Sequence, residues 1–248
     1  MEPKKTLSGR TALVTGAGRR LGQVIALALG RAGADVLVHY HQSGEGAMDT
    51  VDRLTALGRK SAALPADLSD SASIEELARS ISAESGRLDI LVHSAADYER
   101  LPIAEITPEK WDDMLALNLR GPVLLTRALL PLLARSPVAS VISLVDVAAI
   151  KPWANHLHYA VSKAGLAAAT RSLALELAPG IRVNAVAPGT SLPAEWQTGA
   201  SLAAIRARTP LRRLATAEEV AAAVVFLASA PASLTGQVIA VDGGLSLT

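Results

Sequence analysis

Seven short apolar runs, at residues 12–15, 36–39, 62–64, 90–93, 141–144, 181–186 and 238–241, alternate with longer Ala- and Leu-rich segments of helical period. These runs lack the polar alternation of a half-exposed strand, so both of their faces are expected to be covered. Only a parallel sheet with helices on both sides meets that demand along an alternating chain. The pattern therefore predicts an α/β fold: a single doubly wound domain with a seven-stranded, mainly parallel sheet. Of the 248 residues, 50% are hydrophobic and 19% charged, enough for a large core. No interior stretch has linker composition, so residues 9–248 are taken as one domain after a tail at 1–8.

Helix signals agree with this reading. Thr107-Pro108 supplies a cap and a proline at the first helical position, and Thr216 with Glu219 forms a capping box. The longest apolar stretch, 220–228, is about half a membrane span and reads as a buried helix. The N-terminal residues lack the apolar core of a signal peptide, so a cytoplasmic protein is expected. There is no cysteine, which removes disulfides and thiolate chemistry, and no metal is called for. A net charge of +1, with scattered basic residues, gives no footprint for nucleic acid.

Directly after the first run comes Thr15-Gly16-Ala17-Gly18-Arg19-Arg20-Leu21-Gly22, opening a helix expected to reach about residue 32. Glycines between a strand and a helix let backbone N–H groups approach a pyrophosphate at the positive end of the helix dipole. That context makes the fold a Rossmann-type dinucleotide binder. The second run ends in His39-Tyr40-His41-Gln42-Ser43, with no carboxylate for an adenine ribose. Arg20, His41 and Ser43 suit a 2′-phosphate, so NADP(H) is the expected cofactor; alternatively His39 and His41 merely end a strand. Asp67, after the third run, is placed to meet the adenine or to cap a helix.

Tyr159 and Lys163 lie four apart on one predicted helix, and share a face. A cation beside a phenol favours the phenolate and brings its pKa toward neutrality. Alone, such a pair is also what a packed ring beside a solvated amine looks like. Together with the glycine turn and Asn184-Ala185-Val186-Ala187-Pro188-Gly189, it resembles the short-chain dehydrogenase/reductase family over essentially the whole chain.

That resemblance implies a role for Asn118, whose amide would hold a helix kink and a water beside Lys163. It also implies nicotinamide-side contacts from Pro188, Gly189 and Thr190, and a C-terminal turn at Asp242-Gly243-Gly244 near a subunit interface. The implied cofactor contacts are Gly16, Arg20, Leu21, Gly22, His41, Gln42, Ser43, Asp67, Leu68, Ser94, Ala95, Tyr159, Lys163 and the 188–190 segment. Ala164, Gly165, Ala167 and Ala168 match a helix seam, and the resemblance implies a homotetramer; the same small residues also suit packing within one subunit.

Departures from the family pattern are specific. The catalytic serine, thirteen residues before the tyrosine, is Asp146 here, with Ser143 as the other nearby hydroxyl. A carboxyl in an apolar pocket is expected to have a raised pKa and to hold a proton. Arg20 replaces a glycine, and the usual Asn-Ala-Gly becomes His93-Ser94-Ala95-Ala96-Asp97-Tyr98. With Arg20-Leu21-Gly22, His39-Tyr40-His41 and Ser43, these features resemble the pteridine reductase branch, in which Tyr98 would stack on a pterin. Gln42 and Ala96 stand where that branch often has arginine and serine.

This resemblance implies NADPH-dependent reduction of a pterin, with Asp146, Tyr159, Lys163 and Asn118 catalytic and with Arg20, Tyr98, Asp146, Tyr159 and Trp196 at the substrate. The segment near 191–208 would cover it. The alternative is a general carbonyl reductase acting on a 3-oxoacyl group, a steroid or a sugar. A non-catalytic sensor or scaffold of this fold would be expected to have lost the Tyr/Lys pair, which is intact here.

Overall fold

The computed structural model describes residues 6–192, 198–229 and 232–248. Among them, seven strands form one sheet: β1 (Thr11–Val14), β2 (Asp35–Tyr40), β3 (Ser61–Pro65), β4 (Ile90–His93), β5 (Ser140–Leu144), β6 (Arg182–Pro188) and β7 (Val238–Val241). Their order is β3-β2-β1-β4-β5-β6-β7, and every pairing is parallel, so the expected sheet carries no antiparallel edge. The helices are α1 (Arg20–Arg31), α2 (Gly44–Ala56), α3 (Ser71–Glu84), α4 (Pro108–Leu115), α5 (Gly121–Leu133), α6 (Leu157–Glu176), α7 (Gly199–Arg208) and α8 (Ala217–Ser229).

Successive strand residues point to opposite faces, and both faces are dry. Ala12 and Val14 pack with Ile25 of α1, Leu54 of α2 and Val224 of α8, whereas Leu13 between them packs with Leu77 of α3 and Leu129 of α5. This two-sided burial is why the strands read as continuous apolar runs. Residues 220–228 lie in α8 as a helix that buries Val220, Val224 and Leu227. Among the described residues no helix is long and apolar enough to cross a membrane.

The caps formed as their chemistry requires. Thr107 Oγ1 accepts from Lys110 N–H at 3.3 Å, and Thr216 and Glu219 exchange bonds of 2.9 and 3.2 Å. Asp67 is not the helix cap: Asp70 caps α3 through Ala72 and Ser73 N–H, while Asp67 Oδ1 accepts from Ser69 N–H and Oγ–H. Two intervening residues decide this, because α3 starts one turn later than Asp67 could reach. Leu7, in the stretch read as a tail, is fully buried and donates its N–H to Ala32 O at 2.9 Å.

The sheet order reverses direction between β1 and β4, and it is outside the carboxyl ends of the strands at such a reversal that open α/β sheets bind their ligands. Thr15, His93, Asp146 and Pro188 all follow or end strands at that edge. The fold thus delivers the glycine turn and the catalytic candidates to one place.

Candidate active site

The glycine turn is built against the loop after β4. Gly16 has φ of 65°, and a Cβ there would lie 2.9 Å from Ala95 Cα. Thr15 Oγ1 accepts from Ser94 and Ala95 N–H at 2.9 and 3.0 Å, which clamps the two loops together. A Cβ on Gly22 would meet Gly16 O at 2.2 Å, so α1 begins with its backbone against the turn. Its first turn contains no acidic residue. This close-packed cradle, with free space only for backbone, fits a pyrophosphate.

His39 is the anchor of that turn. Gly16 N–H donates to its Nδ1 at 3.1 Å, so its Nε2 carries the proton and donates to Ala66 O at 3.1 Å. Burial lowers its pKa to about 4, leaving it neutral. His39 is therefore no source of positive charge; beyond it His41 and Gln42 are exposed and Ser43 is half-buried, and Arg20 is exposed at the start of α1. Arg20 stands in the left-handed region, φ 51°, where the family has glycine, and its Nη2 donates to Leu192 O at 2.9 Å. Asp67 lies half-buried after β3, and Leu68 is buried beneath it, its carbonyl pressed on Gly121.

At the carboxyl end of β5, Asp146 precedes a short 3-10 turn and caps it: Oδ1 accepts from Ala148 N–H at 2.7 Å. Its other oxygen accepts from the Tyr159 hydroxyl at 2.9 Å. Burial raises the Asp146 pKa, opposed by the bonds from Ala148 and Tyr159 and by Lys163 and His156. Burial, and then Asp146, push Tyr159 well above the ordinary tyrosine value. The expected pull of Lys163 toward neutrality is overturned. Its Nζ sits 5.9 Å from the Tyr159 ring centroid and donates to Leu144 O at 2.9 Å. Helical spacing aligned the two residues, but burial outweighs the distant charge. Lys163 itself is lowered to about 8 by burial. The pair thus holds a protonated phenol bonded to a carboxyl.

Asn118 is fully buried within a single π turn, Ala116–Arg120, the kink expected from sequence. Its amide clasps the loop after β4, accepting from Asp97 N–H and donating to Asp97 O, each at 2.9 Å, and lies 3.1 Å from Ser162 Oγ. Ser143 is buried inside β5, in register with His93, three residues before Asp146. It does not replace the missing serine.

Tyr98 stands edge-on to Tyr159, centroids 4.7 Å apart at 87°, as a wall beside the Tyr159–Asp146 pair. It stacks on His156, 5.2 Å away at 25°, and the phenol oxygen lies 2.8 Å from His156 Nε2. Trp153 meets His156 edge-on at 6.1 Å. The sequence reading missed His156, although its spacing of three from Tyr159 at a helix start was the available signal. It also missed His93, whose Nε2 donates to Thr126 Oγ1 and whose Nδ1 is buried without a partner. Pro188 ends β6, and Gly189 N–H donates to Val241 O at 3.0 Å, with Thr190 half-buried beyond it. Trp196 and Glu195 lie outside the described residues. Gly165 serves packing within the subunit: a Cβ would meet Leu119 Cδ2 at 2.8 Å.

A glycine cradle at the switch point, and a Tyr/Lys pair on the helix facing it, define a nucleotide-dependent oxidoreductase architecture. The chain belongs to the short-chain dehydrogenase/reductase family, and a family model described as enoyl-(acyl carrier protein) reductase matches residues 16–246. A rhamnolipid-biosynthesis 3-oxoacyl-[acyl-carrier-protein] reductase of Pseudomonas aeruginosa is 38% identical over 259 residues, covering 100% of both chains. The structure of a Pseudomonas aeruginosa RhlG/NADP active-site complex superposes with a TM-score of 0.91 at 37% identity, covering 99% of this chain and 100% of that one. FolM alternative dihydrofolate reductase 1 of Brucella canis, complexed with NADP, has a TM-score of 0.91 at 30% identity and covers 98% and 96%. The pteridine reductase branch is not singled out: several sequence relatives carry 3-oxoacyl reductase names.

Proposed function

We propose that this protein is an NADPH-dependent reductase whose substrate is a pterin-type ring. The observation that carries the reading is the half-buried Asp146 carboxyl, its pKa raised by desolvation, bonded to the Tyr159 hydroxyl beside the Tyr98 wall. A serine hydroxyl can only orient an oxygen, whereas a protonated carboxyl can also give a proton to a ring nitrogen. An aromatic wall suits a flat ring, adding roughly 0.5–1.5 kcal/mol beyond burial. The FolM neighbour supports the same direction.

NADPH, when bound, supplies the hydride. The residues expected to hold it are those of the glycine turn, with His41, Gln42, Ser43 and Arg20 at the ribose phosphate, Asp67 and Leu68 at the adenine, and Ser94, Ala95, Pro188, Gly189 and Thr190 toward the nicotinamide. Tyr159, kept protonated by burial, and Asp146 hold the proton to be delivered. Lys163 positions the Tyr159 edge of the cleft and meets the nicotinamide ribose, and Asn118 keeps the π turn and the loop after β4 in register. The absence of a carboxylate after β2 supports NADP over NAD. A face of α6 bearing exposed Leu157, Val161 and Leu175 supports the homotetramer, which sedimentation tests.

The names of the sequence relatives favour a second reading, reduction of a 3-oxoacyl carbonyl, in which Tyr159 protonates oxygen and Asp146 orients the substrate. The deciding assay is NADPH oxidation with dihydrobiopterin and dihydromonapterin beside a panel of ketones and 3-oxoacyl thioesters, repeated with Asp146→Ser. Turnover confined to pterins and lost in the variant supports the first reading. Ketone turnover kept or raised by serine, with inert pterins, establishes the second.

A further inference from the structure

His93 ends β4 with its ring turned to α5, 3% exposed. Its Nε2 lies 2.8 Å from Thr126 Oγ1, and that hydroxyl already donates to Pro122 O at 2.8 Å. The Thr126 oxygen can therefore only accept from the ring, so Nε2 carries the proton. Burial, and then the charge of Lys163, holds the ring neutral at a pKa of about 3. Nδ1 is left as a bare lone pair, buried, with no hydrogen-bond partner among the described residues. An acceptor stranded in this way is costly to keep, and a donor that met it would offset the cost.

Lys163 is such a donor. It is 3% exposed and gives one N–H to Leu144 O at 2.9 Å, which leaves two more to place. Leu144 follows Ser143, the residue of β5 in register with His93. Neighbouring strands lie about 4.8 Å apart, so the ammonium is anchored one strand and one residue away from the bare Nδ1. Other acceptors near the ammonium are committed. Asp146 acts on Lys163 by charge, while its two oxygens take bonds from Ala148 N–H and the Tyr159 hydroxyl. The Asn118 amide gives to Asp97 O and Ser162 Oγ and accepts from Asp97 N–H.

We propose that His93 is a positioning residue for Lys163: its Nδ1 lone pair accepts from the ammonium through one buried water and keeps the lysine charged and in place beside Tyr159. Burial works against that charge and draws Lys163 down to about 8, and an added acceptor works the other way. Among the described residues the groups that face the ammonium are Asp146 after β5, whose charge favours the cation, Tyr159 on its own helix and His93 from β4. His93 stays neutral, and Tyr159 stays protonated, across the range in which Lys163 titrates. The role concerns the lysine and holds for a ring or a carbonyl substrate alike.

Two measurements test it, neither of which needs a substrate. Nitrogen-15 NMR of labelled histidines reads the ring in the native protein. His93 is expected as the Nε2–H form, with its Nδ1 signal moving in Lys163→Met. An Nδ1–H tautomer, or an Nδ1 signal indifferent to the lysine, overturns the proposal. This measurement involves no change at His93, so it decides even where a His93 variant fails to fold.

The second is the titration of Lys163 itself, followed by carbon-13 NMR of ε-labelled lysine, with Lys163→Met identifying the signal. The midpoint, about 8 in the native protein, is expected to fall by about one pH unit in His93→Leu, a roughly tenfold weaker hold on the proton, as loss of an acceptor for a charged donor requires. His93→Asn, which sets an amide oxygen near the position of Nδ1, is expected to return most of that shift. A purely structural His93 would change stability and leave the midpoint where it is. An unmoved midpoint in His93→Leu, or an equal fall in both variants, overturns the positioning role.

Discussion

Asp146→Asn separates the charge of the carboxyl from its shape. Asparagine caps as well as aspartate, so the bond from Ala148 N–H at 2.7 Å and the 3-10 turn survive. Ionisation is lost, and with it the acceptor for the Tyr159 hydroxyl, since the amide nitrogen takes the place of Oδ2; that second loss adds a constant that does not vary with pH. Burial raises the wild-type pKa, so the native state binds this proton more tightly than the unfolded chain. The sign follows: the contribution of the group to stability is complete below the ordinary carboxylate pKa and is lost as pH rises through the folded value. Within that window one extra native-state proton costs about 1.4 kcal/mol per pH unit. The variant, with nothing to titrate at this position, escapes that loss. Urea unfolding of both proteins from about pH 4 to about pH 7, below the range in which Lys163 titrates, isolates the effect, because groups not coupled to Asp146 cancel in the difference. The stability of the variant relative to wild type is expected to climb with a slope approaching that value, then to level off above the folded pKa. A flat difference, or one that falls as pH rises, refutes the raised carboxyl and with it the proton-holding role.

Tyr159→Phe is expected to cut kcat by about 10²- to 10⁴-fold while NADPH titration by fluorescence gives the wild-type affinity; unchanged turnover removes Tyr159 as the acid. A Cβ in Gly46→Ala would lie 2.0 Å from Gly18 O, a backbone atom that cannot yield without moving the phosphate turn, so about 2–4 kcal/mol of stability and much of the NADPH affinity should go together. His158 is fully buried with neither ring nitrogen hydrogen-bonded, Nε2 lying 3.5 Å from Glu99 Oε2. His158→Leu should therefore raise the unfolding free energy by about 1 kcal/mol, and a comparable loss in urea melts would refute that reading. Arg20→Gly relieves a left-handed residue worth about 1 kcal/mol of strain, yet is expected to reduce the preference for NADPH over NADH at least about tenfold, as paired kinetics with the two cofactors would show.

The strands were readable to within a residue or two because parallel strands buried on both faces leave an unbroken apolar record, as Ile90–His93 illustrates; the edge strand Val238–Val241 is apolar too, though only half-buried. The helix kink at Asn118 was foreseen only through the family resemblance, not from any local pattern. Other features depend on distances across the fold that no local pattern encodes. Whether Asp67 or Asp70 caps α3 depends on where the chain leaves β3. The pKa of Tyr159 depends on how deeply its ring is buried and on which charge it touches; spacing put Lys163 on the same face, but the ammonium is held by Leu144 O and the phenol is bonded to Asp146. His39 carried no signal beyond ending a strand, and is a neutral strut beneath the turn. His156 became visible only when the loop carrying Tyr98 folded back onto the start of α6.

The residues by which this chain departs from its family are also where it accepts a physical cost. Arg20 occupies a backbone region in which the usual glycine would be relaxed. Asp146 buries a carboxyl where a hydroxyl would be cheaper to desolvate. His93 buries an imidazole with Nδ1 unpartnered, held neutral at a pKa of about 3 by burial and by Lys163. Packing alone offers no reason to keep these, since glycine, serine or an apolar residue would be tolerated at each. All three follow or end strands on one edge of the sheet, after β1, β5 and β4, around the crevice where the strand order reverses. His158, fully buried in α6, carries a like cost, so it is the gathering of these three beside the site that bears on function, not burial cost as such. The proposed difference in substrate from the 3-oxoacyl reductases among the relatives therefore rests on Asp146 and Tyr98, not on the fold.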